Sequence, residues 1–440
     1  MKQIVKTVAM VAPLLAFVGC GDGLHDPLNE EVQGGELVVN FSSDLMRKTL
    51  INKTAEDKNI SLELAALAFK NKPVYGYKAY KIPYTTTDEE GNEVQVSGLF
   101  VIPTGLPEIV NSTLGLSMVS DDHGTIFANR EAPSVLGDAN AVPAGSSVIL
   151  SSLGGFATLQ PDYIGFGDSN EHYHPFIMKK SLANATVDFI KIVKTFATQN
   201  DINLNNQLFL TGYSEGGYAA MATLKKIEDE NLTDLKVTMA APMAGPYALK
   251  PMSDIVLHSD TLGGVPSFMA NVGYAYAKAY NQDIETVINE PYASKLPTLF
   301  NGDFNRTQID PQLVDVTKGD TGLFVGNFVT NYFTDDDHWF KKAMIENNLH
   351  TWAPKTPLRL VHCKGDDVIP YGISEGTYAT MKYINPETNV TLVPVEATLI
   401  ATNPGQYPAD LNVTHGDCGI LAYGIATGLF AKERKLTIGY

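Results

Sequence analysis

The stretch Leu208-Phe209-Leu210-Thr211-Gly212-Tyr213-Ser214-Glu215-Gly216-Gly217 decides the fold of this 440-residue chain. Its short apolar run is typical of a buried strand, and a helical pattern begins near Tyr218. The residues between them predict a tight strand-to-helix turn that exposes the hydroxyl of Ser214, the arrangement called a nucleophile elbow. Glycine suits positions 212 and 216, because a side chain there would collide with the neighbouring strand or helix. One such pattern can arise by chance, so the rest of the chain must supply its context.

Strand-like and helical segments follow one another along most of the chain, which predicts an α/β fold. Strands are predicted at 36–41, 73–84, 93–102, 114–119, 147–150, 154–163, 208–211, 236–241, 358–362 and 390–395, and helices at 60–70, 181–199, from about 218 onward, and 419–432. This alternation favours a mostly parallel sheet with helices on both faces.

The alternation stops at Gly245-Pro246-Tyr247 and resumes at Leu358. Residues 246–353 are therefore predicted to form a helical insertion, a lid or cap, within one domain whose core comprises 36–245 and 354–440. This insertion is rich in aromatic residues. Some of them are expected to line an apolar or aryl acyl pocket, although the core of the cap itself must account for most.

The N-terminus has the pattern of an export signal. Lys2 and Lys6 precede a short apolar segment, so residues 1–20 are predicted to be a signal peptide. The segment ends Phe17-Val18-Gly19-Cys20, which resembles a bacterial lipobox with Cys20 as the lipidated residue; an ordinary secretory signal is the alternative. Residues 21–35 are predicted to be a polar tether. The mature chain is expected to be exported, either lipid-anchored in the bacterial cell envelope (outer membrane or periplasm) or secreted.

The charge of the chain argues against some partners. A formal net charge of -17 and a pI near 4.9 disfavour binding to nucleic acid or to an anionic membrane surface. Membrane contact is therefore expected only through the lipid anchor.

A serine nucleophile needs a base within hydrogen-bond reach and a carboxylate that orients this base. In hydrolases built on such an elbow, the acid and then the base follow the serine along the chain. Asp366 lies in an acidic loop after an apolar strand, two residues before an aliphatic residue and close to Pro370. It is the predicted acid, with Asp367 as the alternative.

Of the nine histidines, only His415 lies beyond the acidic loop, and it is the predicted base. A surface loop histidine is the alternative interpretation of His415. His362 and His258 are expected to be structural or cap residues.

An oxyanion hole needs two backbone N–H groups. The amide of Glu215, the residue after the nucleophile, is the first candidate. His123-Gly124-Thr125 follows an early strand and points to the amide of Thr125 as the second, with Gly124 making room for the oxyanion. His123 is expected to brace this loop rather than to act as a base.

If Cys20 carries lipid, Cys363 and Cys418 remain as a pair in an oxidising compartment. A disulfide between them would close a loop of about 55 residues, worth on the order of 4 kcal/mol in the chain-entropy model. It would also hold the loop of Asp366 next to that of His415. Two free buried thiols are the alternative, and unchanged activity and melting temperature in a Cys363→Ser/Cys418→Ser variant would contradict the structural role.

Several segments together resemble a secreted lipase/esterase of the α/β-hydrolase superfamily, in the group of secretory lipases and cap-bearing bacterial esterases. They occur in family order, from about residue 75 to 435: His123-Gly124-Thr125, Pro161 to Ser169, His174-Pro175-Phe176, Gly212 to Gly217, Gly245-Pro246-Tyr247, Asp366 to Pro370, and His415-Gly416. The chain departs from the family at Asp121-Asp122, which could make the oxyanion loop more electronegative, and at Cys363, where glycine is common.

This resemblance implies an α/β-hydrolase fold and hydrolysis of carboxylic esters through an acyl-enzyme. The expected substrate is a small-molecule or polymer-linked ester, with no metal or organic cofactor. His172 and His174 could in principle bind metal, but packing of their loop is the favoured role. A capped serine aminopeptidase or acylpeptidase is the alternative function, followed by a non-catalytic binding protein on a hydrolase scaffold.

Overall fold

The computed structural model describes residues 34–135 and 145–439. The predicted signal peptide, its Cys20 and all but the end of the predicted tether lie outside the described residues.

In the described chain, nine strands form one sheet in the order β1-β2-β3-β5-β4-β6-β7-β8-β9. Neighbours from β1 to β5 pair antiparallel, whereas every pair from β5 through β4 to β9 is parallel. The predicted mostly parallel sheet is confirmed. The strands are β1 (Glu36–Phe41), β2 (Gly76–Thr87), β3 (Glu93–Thr104), β4 (Leu116–Asp122), β5 (Ala157–Pro161), β6 (Leu204–Tyr213), β7 (Val237–Met243), β8 (Leu358–His362) and β9 (Val390–Pro394).

Helices connect most of these strands. The principal ones are α1 (Ser43–Lys58), α2 (Leu62–Leu67), α3 (Lys179–Gln199), α4 (Glu215–Asp229), α5 (Leu249–His258), α6 (Pro266–Ala279), α7 (Gly326–Thr334), α8 (Trp339–Glu346), α9 (Tyr371–Ile384), α10 (Val395–Thr402) and α11 (His415–Ile438). The stretch from α5 to α8, inside the predicted cap, contributes no strand to the sheet in the described chain.

The apolar run of the elbow strand β6 does not alternate with polar residues, because both faces of the strand are buried. Leu208 and Leu210 belong to the same hydrophobic core as Ala219 of α4, on one face of the sheet. Phe209 packs in a second core on the other face, where its ring lies 4.7 Å from that of Phe430 in α11. Helices therefore cover both faces, and every side chain of the run is buried.

One predicted strand is wrong. Residues 147–150 are helical: a short helix at Gly145–Ser147 continues into a wider helical segment at Val148–Leu153. Val148, Ile149 and Leu150 are all buried. A short apolar run that is buried on all sides has no period that separates a strand from a helix.

The other differences concern boundaries. The sequence does not predict α1, and α11 begins at His415 rather than near residue 419. His415 is therefore the first residue of the last long helix instead of part of the preceding loop. Within the described ranges, none of the helices combines the length and apolarity needed to cross a membrane.

Candidate active site

Ser214 sits between β6 and α4 in a backbone conformation that few side chains adopt, with φ 62° and ψ -118°. The two elbow glycines explain how the turn fits. A Cβ on Gly216 would collide with the carbonyl oxygen of Asp122, and one on Gly212 would collide with the carbonyl of Gly216. A strained residue persists only where its surroundings fix it, and such residues concentrate at functional sites.

The side chains of Ser214, His415 and Asp366 form one hydrogen-bonded chain. Ser214 Oγ lies 3.0 Å from His415 Nε2, and His415 Nδ1 lies 2.7 Å from Asp366 Oδ2. An ionised carboxylate can only accept, so Nδ1 carries the proton and Nε2 is left to accept from the serine hydroxyl. Ser214 and Asp366 follow the carboxyl ends of the parallel strands β6 and β8, which meet at one edge of the sheet.

Four hydrogen bonds hold Asp366, whose side chain is 0% exposed. Oδ1 accepts from the amides of Val368 (3.0 Å) and Ile369 (2.8 Å), and Oδ2 accepts from His415 and from His362 Nε2 (3.1 Å). Burial raises the pKa of Asp366, but the hydrogen bonds and charges of the two histidines outweigh it and place the pKa well below its ordinary value. The carboxylate is thus ionised at neutral pH.

His362 contacts Asp366 directly. Its ring is fully buried, Nδ1 lies 2.7 Å from Ser374 Oγ, and Nε2 lies 3.1 Å from the carbonyl oxygen of Ile369 as well as from Asp366. Because both groups facing Nε2 accept hydrogen bonds, Nε2 carries a proton. His258, by contrast, lies at the end of α5, where its ring contacts Phe333.

The alternative acid, Asp367, contacts the main chain of the base. Its Oδ1 accepts from the backbone amide of His415 at 2.9 Å, the first amide of α11. Tyr213 holds the same residue from the other side, since its hydroxyl donates to the carbonyl oxygen of His415 at 2.7 Å. The backbone of His415 is thus fixed independently of its ring.

The predicted Cys363–Cys418 disulfide is present, with a Cα–Cα distance of 6.0 Å. Cys363 directly follows β8, and Cys418 lies in the first turn of α11. The bridge therefore joins the loop that carries Asp366 to the helix that begins with His415.

The loop of His123-Gly124-Thr125 lies directly against the elbow. A Cβ on Gly124 would lie 3.0 Å from the carbonyl oxygen of Tyr213 and 3.8 Å from Cβ of Ser214. Thr125 and Glu215, the two predicted amide donors, line one pocket together with Ser214. His123 braces the loop, because its Nε2 lies 3.1 Å from the carbonyl oxygen of Asp162.

This pocket separates the elbow from the predicted cap. The cavity between them has a volume of about 70 Å³. The lining is mostly apolar, and α5, α6 and α8 supply much of it: Leu249, Met252, Val256, Leu257, Phe268, Met269, Val272, Tyr276, Phe340 and Met344. Besides Ser214, the lining includes the polar residues Thr125, Glu215 and Ser253.

The two aspartates that depart from the family pattern are fully buried at the end of β4. Asp121 accepts from Ser146, from Tyr423 (2.6 Å) and from Gln160 (2.8 Å); burial raises its pKa to about 6 against the effect of these bonds. The pKa of Asp122 is raised further, chiefly by burial and also by Asp121. Their carboxylates accept hydrogen bonds from side chains on other elements, in the case of Asp122 from Thr186 at 2.7 Å.

The described residues contain no group of three or more His, Cys, Asp or Glu arranged as a metal site. His172 Nε2 lies 3.5 Å from Glu171, whereas His174 Nε2 lies 2.7 Å from Glu215. The two histidines of this loop thus have separate partners.

The sheet order, the strained elbow and the hydrogen-bonded Ser-His-Asp chain define an α/β-hydrolase. The model of the family "secretory lipase" matches residues 142–395, more than half of the sequence. The chain belongs to the secretory lipase family, a family of carboxylic-ester hydrolases. The matched range contains Ser214 and Asp366 and ends before His415.

Solved structures share this fold. A Legionella pneumophila protein has a TM-score of 0.73 at 21% identity, over 93% of this chain and 99% of that chain. The rice cell wall degrading esterase LipA of Xanthomonas oryzae has a TM-score of 0.71 at 21% identity, over 94% and 99%. Candida antarctica lipase A in its closed state has a TM-score of 0.55 at 15% identity, over 80% and 86%. A comparison with curated proteins gave no match.

Sequence reasoning missed three contacts of this site: His362 with Asp366, Tyr213 with His415, and His174 with Glu215. Tyr213 stands next to the nucleophile, and His174 belongs to a segment that resembles the family. No spacing rule connects either residue to its partner, so the sequence carried no usable signal for these contacts.

Proposed function

We propose that this chain is an exported serine hydrolase that cleaves carboxylic esters through an acyl-enzyme. Ser214 is the nucleophile, His415 the general base and acid, and Asp366 the residue that orients His415. The backbone amides of Glu215 and Thr125 form the oxyanion hole.

The observation that carries this proposal is the Ser214 hydroxyl, 3.0 Å from His415 Nε2 at the wall of an apolar pocket. Nε2 takes the hydroxyl proton as Oγ attacks the ester carbonyl, and the resulting oxyanion accepts from the two amides. His415 then gives its proton to the leaving alkoxide, which departs as the alcohol. A water molecule, deprotonated by His415, attacks the acyl-enzyme; the acid leaves and Ser214 recovers its proton.

The pocket favours an apolar acyl group. Its lining is mostly aliphatic and aromatic, and residues 246–353, which we propose act as a cap, supply more than half of it. An aminopeptidase would need a carboxylate that binds the substrate amine. The pocket-lining Glu215 already pairs with His174, so the ester reaction is the better supported one.

A panel of p-nitrophenyl esters of increasing acyl length, beside aminoacyl arylamides, tests this function. We expect turnover of the esters and little cleavage of the arylamides. Ser214→Ala should abolish turnover, with a loss of about 10⁶-fold in kcat. Arylamide cleavage that exceeds ester cleavage would instead favour the peptidase, and a chain that a fluorophosphonate fails to label at Ser214 would favour a binding protein.

Export is proposed from the N-terminal sequence and agrees with the secretory family. Lipidation at Cys20 predicts that cells fed a labelled fatty acid incorporate it into the protein and that Cys20→Ala abolishes incorporation. Equal labelling of both forms would contradict the anchor.

A further inference from the structure

Both sides of the proposed oxyanion hole reach the same turn of the chain. Residues 162–164, here called the Tyr163 turn, directly follow β5. The carbonyl oxygen of Asp162 lies 3.1 Å from His123 Nε2, and that of Ile164 lies 2.8 Å from His174 Nδ1. His123 and His174, which belong to separate loops, therefore contact the carbonyl groups of two residues in the same turn. A single residue lies between these two.

That residue is Tyr163, which adopts a positive φ of 66° without being glycine. Its side chain is buried, and its hydroxyl donates to the carbonyl oxygen of His123 at 3.2 Å. Its ring lies 4.2 Å from that of His123 and 6.0 Å from that of His174, with 18° between the planes in the second pair. The turn thus holds both imidazoles through its backbone and through its side chain.

The first connection runs from the turn to the elbow. Because the carbonyl of Ile164 can only accept, His174 Nδ1 carries a proton. His174 Nε2 lies 2.7 Å from Glu215 Oε1, and the two side chains are 7% and 1% exposed. Glu215 Oε2 has no hydrogen-bond partner among the described residues, so its link to His174 is the one hydrogen bond that anchors this carboxyl group there. Glu215 carries the proposed first oxyanion amide.

The second connection runs from the turn to the oxyanion loop. His123 Nε2 contacts Asp162, and its Nδ1 lies 2.8 Å from the carbonyl oxygen of Gly124. Thr125, which carries the proposed second amide, follows directly. The segments that carry both proposed donors are thereby held by contacts with the same Tyr163 turn.

We propose that the Tyr163 turn sets the separation of the two oxyanion donors, with His123 and His174 as positioning residues. The proposal rests on the ester-hydrolase function above. Neither imidazole touches the reacting atoms in this role, and both act through the backbone that carries the amides. Displacing a donor, rather than deleting it, is expected to lower kcat by about 10- to 100-fold with little change in KM.

The test uses the full chain with the best p-nitrophenyl ester of the panel, and compares His174→Asn, Glu215→Ala and the double variant. Asn keeps a donor for Ile164 but no longer reaches Glu215. Both single variants should lose about 10- to 100-fold in kcat, with KM within about threefold of the parent. The double variant should be no worse than the poorer single one, because the pair acts as a unit.

Two further measurements separate positioning from a general loss of structure. An alkyl trifluoromethyl ketone forms a tetrahedral adduct with Ser214, and its Ki should rise in parallel with the loss of kcat. Glu215→Gln should recover most of what Glu215→Ala loses, because its amide can donate to His174 Nε2. His172→Ala, in the same loop but at an exposed residue, is the matched control and should leave kcat unchanged.

A parent that hydrolyses esters and variants that keep full kcat would overturn the positioning role alone. So would losses that appear equally in KM and in melting temperature while the Ki of the ketone stays constant. A parent without ester turnover would instead refute the proposed function.

Discussion

Asp366 and Asp121 are both buried aspartates at the carboxyl ends of parallel strands, yet their pKa values move in opposite directions. Burial raises the pKa of Asp121 to about 6, whereas that of Asp366 lies well below its ordinary value despite burial. Asp121 lies deeper than Asp366, which accounts for part of the difference. Both groups accept at least three hydrogen bonds, so the number of bonds does not account for the rest.

The chemistry of the donors explains it. Asp121 accepts from neutral hydroxyl and amide groups on Ser146, Tyr423 and Gln160. Asp366 accepts from two backbone amides and from two imidazoles, which can carry positive charge. Burial alone therefore does not identify a catalytic carboxylate. Partners that stabilise the ionised form are expected around the proposed acid, because a carboxylate that orients a histidine must stay ionised.

The largest expected effect comes from removing the charge of Asp366. Asp366→Asn should lower kcat by about 10⁴-fold, because an amide no longer fixes the tautomer of His415. The rate of ester turnover measures this loss of kcat. Asp367→Asn is the matched control; it alters only the contact with the backbone amide of His415 and should cost far less. Equal losses of kcat in Asp366→Asn and Asp367→Asn would contradict the assignment of Asp366 as the acid.

Asp121 is expected to make the stability of the fold depend on pH. Its pKa rises from roughly 3.9 in the unfolded chain to about 6 in the fold. Between these values the folded state binds a proton that the unfolded chain has released, so the free energy of unfolding falls as pH rises through this window. Asp121→Asn should remove a dependence on the order of 2–3 kcal/mol.

Denaturant unfolding of parent and variant across this pH window measures that slope. Asp229→Asn, at an exposed residue, should leave it unchanged. If Asp121→Asn keeps the full slope, another buried carboxyl group is responsible.

The smallest expected effect sharpens the role of His362. His362→Leu removes one donor from Asp366, whose carboxylate then binds the protonated form of His415 more strongly. We expect a loss of about tenfold in kcat/KM at neutral pH and an acidic limb of the pH profile that moves to higher pH. His362→Gln, whose amide nitrogen can take the place of Nε2, should restore most of both. If the acidic limb of the pH profile does not move in His362→Leu, His362 only packs against its neighbours.

The sequence predicted the elbow, the mostly parallel sheet and the order of Ser214, Asp366 and His415. Each of these follows from short-range chemistry: a glycine-bounded turn, a continuous apolar run buried on both faces, and a fixed order along the chain. The Cys363–Cys418 pairing was predicted from an expected oxidising compartment and from a count of cysteines.

Other features needed the tertiary structure. One is the helical conformation of 147–150. Val148, Ile149 and Leu150 are all buried, so their apolar run has no period that distinguishes a helix from a strand. The pKa values of Asp121 and Asp366 shift in opposite directions, and these shifts depend on donors from distant elements, such as Tyr423 and His415. The link from Tyr163 to His123 likewise joins residues that are distant in sequence. The sequence by itself thus predicted which groups react. Only the folded chain decided which neighbours hold them in place, because those neighbours meet through long-range packing that no local pattern encodes.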